Sequence, residues 1–201
     1  VTIIDENAIS HPEFTVIHPD QIDISTCDRL LISPGWRELH PMVQAARAAQ
    51  VPIINEIDLA WSLKKPQQKW LALTGTNGKT TTVELTALML QKGGIAALAC
   101  GNVGTTVIET VDSALDYDYL VLELSSFQLH WMEDASFSAA AILNIAQDHL
   151  DWHGSFDAYA DAKLSILDRA TTGILNGEDP EIVHRSTHWQ GQKVFFTLDT
   201  P

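Results

Sequence analysis

The chain has 201 residues, room for one large domain or two small ones, and its 45% hydrophobic content is ordinary for a globular protein. Lys and Arg number 12 against 26 Asp and Glu, a formal net charge of −14 that argues against nucleic acid as a partner. No apolar run is long enough to cross a membrane, so no membrane partner is expected, and Cys27 and Cys100 form no disulfide framework and read as reduced thiols in a cytoplasm.

Taken in order, residues 1–4, 14–17, 30–32 and 51–54 are β-branched or apolar runs that predict short strands, with Ser33-Pro34-Gly35 as a tight loop and a helix over 42–50 opened by Pro41. This α/β alternation predicts a parallel sheet. A nucleotide-binding domain of this kind begins with a strand and a glycine-rich turn, and none precedes Val1, so residues 1–62 are expected to be a partial, Rossmann-like N-terminal domain. The polar stretch 63–69 reads as a linker, and 70–201 as a second domain ending at Pro201 in mid-sheet. Further strands are expected at 70–73, 95–100, 119–122, 139–145, 174–175 and 194–197, with helices over 83–90 and, capped by Ser155, over 156–168.

The second domain opens on a strand, a glycine turn and a helix, with Gly75-Thr76-Asn77-Gly78-Lys79-Thr80-Thr81 at the junction. Glycines let backbone N–H groups curl round phosphate oxygens, and the helix N-terminus adds partial positive charge. Lys79 then reaches the β- and γ-phosphates, and the Thr80 hydroxyl ligates magnesium. The general phosphate-loop pattern places its first glycine where this chain has Leu73, so the loop is shorter than that pattern, and a plain glycine turn containing a lysine is the alternative.

Polar residues gather where strands end, which in open α/β sheets is where ligands bind. Glu123, after an apolar strand, suits a magnesium ligand or a helix cap. Gly101-Asn102-Val103-Gly104 reads as a turn that lets backbone approach a ligand. His149 lies in Asn144-Ile145-Ala146-Gln147-Asp148-His149; magnesium prefers oxygen, so by itself it reads as a structural histidine. Phe156, Ala160, Lys163 and Leu167 share one helix face, which makes Lys163 either a snorkelling lysine or a functional one. Burial would lower its pKa, and a neutral amine can take up carbon dioxide as a carbamate. His130, His153, His184 and His188 are expected on the surface.

Gly75–Thr80, Leu122-Glu123-Leu124-Ser125-Ser126-Phe127-Gln128-Leu129 and the block from His149 to Lys163 together resemble the Mur ligases, the enzymes that build the peptide of bacterial cell wall precursors. The Glu123 segment resembles the branch that adds D-glutamate to UDP-N-acetylmuramoyl-L-alanine. The resemblance implies an ATP-dependent amide ligase, monomeric and cytoplasmic, working through an acyl phosphate. It implies two magnesium ions on Thr80, Glu123, His149 and carbamylated Lys163, with these residues and Lys79 at the reaction centre. It places ATP on Gly75 to Thr81 and Asn176, and the UDP-sugar on Asp5, Ser33, Gly35, Asn102, Ser125 and Gln128. It also implies a third, C-terminal domain that grips the amino acid and is absent here. Gln147 departs from the Asp or Glu often found before the Asp-His pair. Other Mur enzymes and the folylpolyglutamate ligases are the nearby alternatives, although the latter tend to read Gly-Lys-Gly where this chain has Gly78-Lys79-Thr80. A nucleotide-binding module without chemistry is the alternative of another class.

Overall fold

Every strand pairing among the described residues is parallel, as α/β alternation requires. The structure, a computed structural model, describes residues 1–7 and 10–198; the expected chain end at Pro201 lies outside the described residues. The chain forms two compact units, Val1–Ile54 and Asn55–Pro201.

In the first unit β1 (Thr2–Ile4) pairs with β2 (Thr15–Ile17), and β3 (Leu30–Leu31) pairs with β4 (Ile53–Ile54). These are two separate two-stranded sheets rather than one continuous sheet. Helix α1 (Pro41–Ala48) starts at Pro41 as predicted and buries Met42, Val43 and Ala46.

The second unit starts earlier than the sequence suggested. Helix α2 (Glu56–Leu63) occupies what read as the end of the first domain, and Leu63 and Lys69 of the expected linker belong to α2 and to β5 (Lys69–Thr74). The reason is burial: Ile57 and Ala60 of α2 are 1% and 0% exposed in the main core, with Trp70, Leu120, Leu122 and Ile142. Asn55 caps α2 by accepting the Asp58 amide at 2.8 Å. Next come α3 (Lys79–Lys92), β6 (Ala97–Gly101), α4 (Val107–Asp112), β7 (Tyr119–Glu123), α5 (Ser126–Trp131), β8 (Ala139–Ile142), α6 (Leu150–His153), α7 (Phe156–Leu164), β9 (Thr172–Asn176), α8 (Pro180–Arg185) and β10 (Gln192–Phe196). The sheet order is β10-β9-β8-β5-β7-β6.

Two helices differ from expectation in useful ways. Helix α3 faces the sheet with Val83 and Ala87, and the larger Leu85 and Leu88 are exposed, because small side chains let a helix lie close to the strands. Helix α7 ends at Leu164 rather than near Asp168; the chain tightens into a 3-10 turn that buries Ile166 and Leu167. The C-terminal ends of β5, β7 and β8 run into the segments that carry the residues of interest.

Candidate active site

Strand β5 delivers the chain directly into the glycine loop. Gly75 lies close to the chain just after β8: a Cβ there would come within 3.1 Å of the Leu143 Cβ, a tight contact that Leu143 would have to yield to. Gly78 has φ of 81°, a left-handed conformation that favours glycine, and it stands at the N-cap of α3. No side chain caps α3, so its first-turn N–H groups are left for a ligand or water. The Lys79 Nζ folds back to donate to the carbonyls of Gly75 (3.0 Å) and Thr76 (3.1 Å).

Beside the loop, Glu123 at the end of β7 is 2% exposed. Its Oε2 accepts from the Thr80 hydroxyl at 2.7 Å and its Oε1 from Asn102 Nδ2 at 3.1 Å. Asn102 comes from the glycine turn after β6. Gly101 there has φ of 103°, and a Cβ would strike the Glu123 carbonyl at 2.6 Å, so glycine is required for this approach. Ser125 and Gln128 form a capping box at the start of α5: the Ser125 N–H donates to Gln128 Oε1 at 2.9 Å, and the Gln128 N–H to Ser125 Oγ at 3.2 Å. Ser125 lines the cavity, whereas the Gln128 Oε1 is held within the cap.

Lys163 is buried, 2% exposed, and lies on α7 as the apolar-face pattern predicted. Its Nζ donates to the Gly75 carbonyl at 2.9 Å and to Thr74 Oγ1 at 3.3 Å, with the Tyr159 ring centroid at 4.8 Å. Two lysines therefore converge on one carbonyl oxygen. Burial, reinforced by the neighbouring Lys79 charge, lowers the Lys163 pKa to about 7, which favours the neutral amine far more than at an exposed lysine. His149 follows Asp148 on the same side, with φ of 50° and its ring 4.7 Å from that of Phe127. A cavity of about 140 Å³ is lined by Lys79, Asn102, Ser125, Ser126, Phe127, Asp148, His149, Tyr159 and Lys163. Of the sequence-predicted residues it brings together Lys79, Asn102, Ser125, His149 and Lys163.

The remaining candidates lie elsewhere. Asn176 donates its Nδ2 to the Leu143 carbonyl at 2.9 Å and accepts the Glu178 amide at 2.9 Å. Asp5 accepts from the amide of Asn7 at 2.7 Å, and Ser33 and Gly35 sit in the turn after β3; all three belong to the first unit.

Three contributors carried no sequence signal that was read. His153 is half-buried, not on the surface: its Nε2 lies 2.9 Å from Ser126 Oγ and its ring stacks on Phe127 at 5.6 Å. Burial first, then the charges of His130, His149 and Lys163, lower its pKa to about 4. Tyr159 lies 2.9 Å from the Thr76 hydroxyl, and burial raises its pKa. Its place four residues before Lys163 on the same face was the available clue. Asn144 grips the glycine loop, and only its position at a strand end pointed to it. A larger cavity, about 330 Å³, lined by residues such as Trp61, Lys69, Trp70 and Phe137, contains no acid, histidine or glycine loop.

A parallel sheet whose central strand enters a glycine loop, Gly-Lys-Thr and a helix defines an α/β phosphate-loop domain. Residues 73–201 match the Mur ligase middle domain, and the chain belongs to the Mur ligase family. The UDP-N-acetylmuramoylalanine–D-glutamate ligase of Thermobifida fusca is 47% identical over 179 residues, 87% of this chain and 38% of the relative. That of Streptomyces coelicolor is 39% identical over 188 residues, 86% of this chain and 38% of the relative. The chain thus spans well under half the length of these relatives. Among solved structures, a UDP-N-acetylmuramate:L-alanyl-gamma-D-glutamyl-meso-diaminopimelate ligase from Neisseria meningitides aligns with a TM-score of 0.61 at 17% identity, over 96% of this chain and 68% of that one. The MurF ligase of Thermotoga maritima in complex with ADP aligns at 0.57 and 17%, over 90% and 52%. At such identities the structural matches concern the fold alone. No helix among the described residues is long and apolar enough to cross a membrane.

Proposed function

We propose that this chain is the ATP-using part of a ligase that joins D-glutamate to UDP-N-acetylmuramoyl-L-alanine, acting as a cytoplasmic monomer in peptidoglycan precursor synthesis. The observation that carries the reading is the gathering of Thr80, Glu123, Lys79 and Lys163 around one glycine loop. The choice of D-glutamate is supported by the names of the curated relatives.

Lys79 leaves its loop carbonyls for the β- and γ-phosphates, and the amides that open α3 bind phosphate oxygens. Thr80 and Glu123 present hydroxyl and carboxylate oxygens 2.7 Å apart, a donor set that fits magnesium. His149 and Lys163 line the cavity that Lys79 and Asn102 also line, and fit a second ion once Lys163 carries a carbamate, since an ammonium repels a cation and has no lone pair to give. Bound at these places, magnesium neutralises phosphate and carboxylate charge. Lys163 reaches that state when its neutral amine adds to carbon dioxide and releases a proton. The alanine carboxylate attacks the γ-phosphorus and ADP leaves; the amine of D-glutamate then displaces phosphate from the acyl phosphate. Two anions must meet, so positioning and charge neutralisation govern the rate. In the second unit Asn102, Ser125 and Gln128 lie on the side of the pyrophosphate and sugar; in the first, Asp5, Ser33 and Gly35 serve the uridine.

Phosphate release by the full-length protein tests the reading. Release should require ATP, magnesium, the UDP-sugar and D-glutamate together, with L-glutamate ineffective. Turnover with another amino acid in preference to D-glutamate would overturn the assignment.

A further inference from the structure

The turn after β8 is built into the glycine loop through one side chain. Asn144 Oδ1 accepts the amides of Thr76 (3.0 Å) and Asn77 (2.8 Å), its Nδ2 donates to the Asn77 carbonyl (3.0 Å), and its own carbonyl accepts the Thr76 amide at 3.0 Å. Two residues on, the Ala146 amide donates to Thr76 Oγ1 at 2.9 Å. A primary amide offers an acceptor and a donor in one plane, so Asn144 pairs with the loop backbone as a neighbouring strand would. The turn is itself held from behind: Asn176 Nδ2 donates to the Leu143 carbonyl at 2.9 Å, and Asp179 Oδ2 accepts the Ile145 amide at 2.8 Å.

We infer that Asn144 is a positioning residue for nucleotide binding, which fixes the first half of the glycine loop by taking up the Thr76 and Asn77 amides and so leaves phosphate to Lys79 and the amides that open α3. This rests on the phosphate-loop reading above. Asn176 supports the same turn through the Leu143 carbonyl. Without the Asn144 side chain the Asn77 amide loses its acceptor and the Thr76 amide keeps only the Asn144 backbone carbonyl, so the loop samples other shapes and binding must supply the ordering.

Calorimetry of Mg·ADP binding to the 201-residue chain, with amide exchange at Thr76 and Asn77 followed by NMR, tests this. Asn144→Ala should weaken ADP by about tenfold and speed exchange of the Asn77 amide more than that of Thr76, which keeps its backbone acceptor, while the chain stays folded. A role in stability alone would lower Tm and leave the affinity of the folded chain unchanged, which would overturn the inference. Should the alanine variant fail to fold, Asn144→Asp carries the test. It keeps the acceptor, so both amides stay protected, but it loses the donor to Asn77 and adds a negative charge, so ADP must bind more weakly; wild-type affinity would overturn the inference. Lys79→Ala separates the two levels. If wild type does not bind Mg·ADP, or Lys79→Ala binds it equally well, the phosphate-loop reading falls and this inference with it. If Lys79→Ala weakens binding and Asn144→Ala does not, the inference falls alone.

Discussion

Among the charged side chains that the second unit buries, Asp58 and Lys163 are treated in opposite ways. Asp58 on α2, 6% exposed, accepts from Asn55 Nδ2 (2.8 Å) and from the amides of Glu133 (2.8 Å), Asp134 (3.0 Å) and Ala135 (2.9 Å). Its lone pairs are well supplied, and it pins the segment after α5 to α2. Lys163, 2% exposed, has two acceptors, one of them shared with Lys79, an aromatic ring beside it, and only the through-space pull of the Asp148 and Glu123 carboxylates. Its charge is poorly served, so burial acts on the proton instead and brings the pKa to about 7. A satisfied buried charge holds a structure together, whereas an unsatisfied one is available for chemistry.

Substitution at Lys163 should have the largest effect on turnover. In the full-length protein, Lys163→Arg should lose at least about a hundredfold in rate, because guanidinium stays protonated and forms no such carbamate. Lys163→Ala should be equally poor, but acetate should restore part of its activity by placing a carboxylate in the vacated space. An active arginine variant would mean that the site needs positive charge, and the contrast with Asp58 would collapse.

Asp58→Ala should act on stability instead. Four N–H donors lose their acceptor, at a cost of about 3 kcal/mol, or a fall in Tm of roughly 10 °C by thermal denaturation. Turnover per folded molecule should be unchanged. A normal Tm with lost turnover would move Asp58 to the functional side of the comparison.

A smaller effect should appear in the pH dependence of stability. The folded pKa of Lys163 is about 7 against 10.5 for the free side chain. Between these values the unfolded chain binds more protons, so this group makes stability rise with pH. Its penalty is full below about pH 7 and gone above about 10.5. In buffer free of carbon dioxide, wild type should gain stability from pH 7 to 10 relative to Lys163→Met; parallel curves would show that the buried amine is not strained.

Much of this contrast was readable in advance, on one side only. Lys163 was visible because helical spacing put it among Phe156 and Ala160, and Glu123 and His149 because strand ends are visible as the last residues of apolar runs. All ten strands among the described residues matched predicted runs for the same reason, although their ends shifted by up to three residues. Asp58 was opaque: α2 is short, its Ile57-Asp58-Leu59-Ala60-Trp61 run mixes apolar and acidic residues, and the donors at 133–135 are far away in sequence. His153 and Asn144 were missed likewise, since each acts through a partner on another element, Ser126 and the glycine loop. The short helices α4, α5, α6 and α8 hold too few turns to establish a period.

The central claim, that Lys163 is a reactive amine rather than a buried cation, is tested most directly by carbon-13 NMR of the chain in labelled bicarbonate. A carbamate signal should appear, rise in intensity with pH through about 7, and vanish in Lys163→Arg and Lys163→Ala. A wild-type chain that shows no carbamate above that pH, or a signal that survives both substitutions, would contradict the account.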